Sequence, residues 1–95
     1  MVKRFHAIIT GRVQGVFFRA TAREKAMELH LKGFVRNLPN GSVELEAQGD
    51  EGLLSTLLLW CQHGPPGARV DDVQIEWLSP KETESDFRIA DESLP

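Results

Sequence analysis

Apolar residues recur along this chain with two different periods, and the changes of period mark out its elements. Phe5, Ala7 and Ile9 fall on one face of a β-rich segment, 3–10, as alternation in a half-buried strand requires. A loop with two glycines follows, from Gly11 to Gly15. The period then lengthens: Phe18, Ala22, Ala26 and Leu29 are spaced 4, 4 and 3 apart, which makes one stripe of an amphipathic helix over about 18–29. Gly33 opens a short strand, 33–38, and Leu38-Pro39-Asn40-Gly41 signals a turn, because proline presets φ and Asn-Gly tolerates positive φ. Strand 42–48 alternates again, with Val43, Leu45 and Ala47 inward and Glu44, Glu46 and Gln48 outward. Asp50 is placed to cap a second helix, 51–62, whose buried stripe is Leu53, Leu54, Leu57, Leu58 and Cys61. Gly64-Pro65-Pro66-Gly67 ends that helix. A longer strand, 70–78, alternates through Val73, Ile75 and Trp77, and a short one near 86–90 carries Phe87 and Ile89.

The resulting order is β-α-β-β-α-β plus a C-terminal strand. It predicts an α+β fold of the ferredoxin-like type, with two helices on one face of a mainly antiparallel sheet. In that topology the start of the first helix and the end of the second strand share one rim, so loop 11–19 and Asn37 are expected at the same end of the sheet. With 95 residues the chain has room for one domain, taken here as 1–95.

Charge adds an asymmetry. The net charge is −3, yet residues 1–40 carry eight Lys/Arg against two Glu, while residues 41–95 carry three Lys/Arg against twelve Asp/Glu. Such a chain is a poor partner for nucleic acid, but its basic half can steer a small anion. The strand positions Glu44, Glu46 and Glu76 also argue against an RNA-binding sheet face, which needs exposed aromatics in a basic surface. One cysteine permits no internal disulfide, which fits a reducing cytoplasm. Met1 to Phe5 begins basic but lacks the apolar core of a signal peptide, and Leu57 to Cys61 is far too short to span a membrane. A small cytoplasmic monomer is the expectation.

The chemistry concentrates in loop 11–19. Arg19 occupies the first turn of a helix, where the macrodipole already makes the surroundings positive and an arginine is unfavourable by roughly 0.3–1 kcal/mol. Unpaired backbone N–H groups from about Gly15 to Arg19 add to that field. Two positive elements on one spot make sense if an anion fills it. Gly15 permits the curvature that turns successive amides inward, and a guanidinium offers a bidentate grip on phosphate oxygens that lysine lacks. Read alone, the same residues also fit a solvated arginine after an ordinary turn, and Asn37 fits a turn former as well as a group that orients water.

Two longer motifs narrow the choice. Gly11-Arg12-Val13-Gln14-Gly15-Val16-Phe17-Phe18-Arg19 resembles the first signature of the acylphosphatase family. Gly33-Phe34-Val35-Arg36-Asn37-Leu38-Pro39-Asn40-Gly41-Ser42-Val43, with Gly49 beyond it, resembles the second. The Gly-Pro-Pro-Gly-Ala-Arg-Val segment, 64–70, is also similar. The resemblance implies hydrolysis of acyl phosphates to a carboxylate and inorganic phosphate, without metal or cofactor. It implies that Arg19 binds substrate, that Asn37 orients the attacking water, and that backbone groups of Gln14, Gly15, Val16, Phe17 and Phe18 cradle the phosphate. His30 departs from the glycine usual after the first helix, and Ala22 from a usual Thr or Val; tuning of stability or rate is expected from both.

Other candidates weigh less. His6, His30 and His63 lie on different elements with no ligand spacing, and Cys61 lies on an apolar stripe, as a core residue would. Two rival readings are a phosphate- or RNA-holding module without turnover, and an acylphosphatase-like domain embedded in a larger protein.

Overall fold

The computed structural model describes residues 1–82 and 85–90. Its elements are β1 (Val2–Arg12), α1 (Phe18–Glu28), β2 (Lys32–Asn37), β3 (Val43–Asp50), α2 (Glu51–Cys61), β4 (Arg69–Leu78) and β5 (Phe87–Ile89). Sheet order is β4-β1-β3-β2-β5, antiparallel except for the parallel β2–β5 pair. This is the ferredoxin-like βαββαβ arrangement with a short fifth strand.

Both helices lie on one face. Phe5, Ala7, Ile9, Val35, Leu45 and Ala47 from the strands meet Phe18, Ala22, Ala26, Leu54, Leu57 and Cys61 from the helices in one buried cluster. Ala22 is therefore part of the helix-to-sheet contact and fully enclosed. Burial pushes the Cys61 thiol up to about 12, which leaves it a small core residue without thiolate character at neutral pH.

Helix ends follow local rules. The Asp50 carboxylate accepts from the amide of Gly52 at 3.0 Å and caps α2. At the end of α1, His30 donates to Met27 O and Leu31 to Ala26 O, the paired bonds of a Schellman motif. That motif needs a left-handed residue, and His30 supplies it at φ 56°.

Two strand expectations need amendment. Glu46 points to the helix-free face as alternation requires, yet it is nearly buried. Fully buried Arg4 donates to it at 2.6 Å, and Lys81 lies 3.3 Å away. The segment after β4 lies over this end, where Lys81 and Gln48 exchange two hydrogen bonds. Ile75 and Trp77 alternate with polar residues but remain exposed, because β4 is an edge strand.

Candidate active site

β1 runs up to the rim at Arg12, antiparallel β3 starts there at Val43, and β2 ends there at Asn37. Loop 13–17 crosses the same rim before α1. The topology thus brings together the two segments singled out in the sequence. A cleft of about 330 Å³ opens between them, lined by Val13, Gly15, Phe17, Arg19, Asn37 and Ile89 among others.

The loop keeps its shape through two left-handed residues. Gly15 stands at φ 76° and Phe17 at φ 64°. A Cβ on Gly15 would meet nothing within 4 Å, so only its backbone angle calls for glycine. Phe17 is the surprise, since a bulky side chain pays a steric cost at positive φ. Strain of this kind concentrates at functional sites. Phe18 anchors the loop from below: it is buried, its ring 5.1 Å from that of Trp60. Gly64 presses on the same ring, where an added Cβ would come within 2.9 Å. The 64–67 turn thus supports the loop, which gives the Gly-Pro-Pro-Gly segment a structural purpose.

Helix α1 begins without the usual neutralisation. Phe17 occupies its N-cap with no side-chain hydrogen bond, and no acidic residue lies in its first turn. The first-turn amides of Phe18, Arg19 and Ala20 have no intrahelical acceptor. Half-buried Arg19 adds a full positive charge at the same place, and no hydrogen bond or ion pair holds it among the described residues.

Asn37 is 8% exposed, and its Oδ1 is a buried acceptor without a protein partner. Such a group is costly, by roughly 1–3 kcal/mol, unless a donor reaches it. It lines the same cleft as Arg19.

Sequence reasoning gave Gln14 only a backbone part. Its side chain is a clamp: Nε2 donates to Leu38 O at 2.8 Å and to Ser42 O at 2.9 Å. These carbonyls belong to the turn next to Asn37, itself closed by Leu38 N to Ser42 O and by Asn40 Oδ1. Gln14 therefore fixes the loop carrying Arg19 against the strand end carrying Asn37. No spacing in the sequence signals this contact across 24 positions. Among the described residues no group of three His, Cys, Asp or Glu is placed to hold a metal ion.

Comparison with known proteins bears on this geometry. The acylphosphatase family model matches residues 5–89. The chain belongs to the acylphosphatase family. An acylphosphatase of Methylococcus capsulatus is 51% identical over 78 residues, covering 82% of this chain and 85% of its own. The acylphosphatase structure from Coxiella burnetii superposes with a TM-score of 0.89 at 43% identity, over 94% of this chain and 93% of that one. Full-length HypF, in a phosphate- and nucleotide-bound form, carries a similar unit: TM-score 0.87, 29% identity, 96% of this chain but 12% of that one. The activity of this acylphosphatase is the hydrolysis of acyl phosphates, a hydrolase reaction on an acid anhydride.

Proposed function

We propose that the cleft at the α1 N-terminus performs this hydrolysis with one positioned water and no metal ion. The amides of Gln14, Gly15, Val16, Phe17 and Phe18, with the Arg19 guanidinium, hold the phosphoryl oxygens of an acyl phosphate. The observation that carries the reading is the buried, unpartnered Oδ1 of Asn37 in the same cleft as Arg19. That oxygen accepts a hydrogen bond from water and leaves the water's lone pair free to attack phosphorus. The P–O bond to the acyl group breaks as the new one forms. The departing carboxylate has a pKa near that of Glu, roughly 4.3, so no general acid is needed. Asn37 cannot take the proton; it goes to a phosphoryl oxygen, giving carboxylate and dihydrogen phosphate. Catalysis then comes from placement and charge neutralisation.

We infer a monomer acting as a single domain, 1–95; the support is that the cleft lining, from Val13 to Ile89, is drawn from one sheet and its helices. A lone, buried cysteine supports a cytoplasmic setting. No described helix is long and apolar enough to cross a membrane. The test is hydrolysis of benzoyl phosphate in the presence of a chelator, expected to proceed at the rate seen without it. A rate abolished by chelator and restored by a divalent ion would contradict the metal-independent reading.

A further inference from the structure

The cleft has two chemical halves, and the phosphoryl group accounts for only one. Gly15, Arg19 and Asn37 supply its polar part. Its other lining includes two apolar side chains that the core does not claim: Phe17 is 82% exposed and Ile89 44% exposed, whereas Val13 and Phe18 are buried. Phe17 has no ring or cation partner among the described residues. It sits at a helix N-cap in a left-handed conformation, where Gly, Asn or Asp would be less costly. A large ring kept in water at a strained position beside a cleft calls for a ligand to cover it. Apart from Arg19, no charged side chain lines the cleft among the described residues, so none of these would recognise a charge on the acyl group.

We propose that Phe17 and Ile89 form the acyl subsite and select acyl phosphates whose carboxyl carbon bears an aromatic or branched apolar group. This rests on the assignment of the phosphoryl group to Arg19 and the loop amides, because the acyl group is bonded to that phosphoryl and leaves the polar part for the exposed rim. An apolar acyl group covers the two side chains in the ground state and the transition state alike, so the gain falls on KM more than on kcat.

The test compares benzoyl phosphate with acetyl phosphate in the wild type, Ile89→Ser and Phe17→Ala, with inhibition by inorganic phosphate measured in each. The different intrinsic reactivities of the substrates cancel when each variant is compared with the wild type. The expected result is a KM for benzoyl phosphate raised roughly fivefold in Ile89→Ser, with acetyl phosphate KM and phosphate inhibition little changed. In Phe17→Ala, whose backbone belongs to the phosphate loop, the ratio of benzoyl to acetyl phosphate KM rises by the same factor. Ile89→Ser leaves the phosphate loop untouched, so it reads the subsite without disturbing loop strain. Equal changes for both substrates, with phosphate inhibition intact, would overturn the acyl subsite alone. A wild type neither inhibited by phosphate nor active on acetyl phosphate would overturn the phosphate assignment and the subsite with it.

Discussion

Arg19 and Asn37 divide the work between charge and placement. Arg19→Ala removes a full positive charge from the cleft lining, and a fall in kcat/KM of roughly 10³-fold is expected. Arg19→Lys should recover little, since an ammonium lacks the planar fork. Asn37→Ala removes the group that orients water but not the anion pocket. Its kcat should drop by roughly 10²-fold or more, while inhibition by inorganic phosphate stays near wild type; steady-state kinetics with phosphate as inhibitor separates the two. Weakened phosphate binding to the same extent would count against the water-orienting role. His30 illustrates a cost unrelated to the chemistry. At φ 56° it fills the left-handed position that closes α1. Its side chain is exposed, so His30→Gly relieves crowding at no packing loss. A gain of about 0.5–1 kcal/mol should show as a higher urea midpoint.

The two helices make an internal contrast, each eleven residues long. α2 starts with the Asp50 cap and Glu51 in its first turn, whereas α1 starts on an uncapped Phe17 followed by Arg19. The first helix forms because Phe18, Ala22 and Ala26 bury themselves on β2 and β5, and this packing compensates for an N-terminus kept open for an anion. Gln14 joins these elements. Gln14→Ala removes both clamp bonds and should lower stability by about 1–2 kcal/mol. It should also lower kcat through loss of register between Arg19 and Asn37, measured by urea unfolding alongside benzoyl phosphate turnover. The elements themselves were legible in the sequence, because alternation at Phe5-Ala7-Ile9 and the stripe Phe18-Ala22-Ala26 are imposed by burial. The rim shared by the loop and Asn37 followed from topology. The Gln14 clamp and the strained Phe17 were not legible, since a long-range side-chain bond and a backbone angle leave no periodic trace. Glu46 misled for a related reason: alternation gives the face of the sheet, not whether a later segment covers it.

On the scale of the molecule, the basic first half and the acidic second half meet across the sheet. Its helix-free face pairs Arg4 with Glu46 and both His6 and Arg36 with Glu44. A part of the charge asymmetry of the sequence is thus matched within the fold on this face, while Arg19 has no ion-pair partner among the described residues. Burial pushes the Glu44 carboxyl up, but hydrogen bonds from His6 and Arg36, with their positive charge, outweigh it and hold it below its ordinary value of 4.5. A carboxyl depressed in the fold stabilises it fully above the ordinary value, and that contribution drains away as pH falls through the folded value. Glu44→Gln should therefore unfold at lower urea than wild type at about pH 7, and the gap should narrow at about pH 3. Unfolding curves at the two pH values check this. The anion pocket itself is tested most directly by following backbone amide and arginine Nε signals by nitrogen-15 NMR while inorganic phosphate is added. The largest shifts are expected at the amides of Gln14 to Phe18 and at Arg19 Nε, saturating together. Shifts centred elsewhere, with those signals unmoved at saturation, would contradict the account.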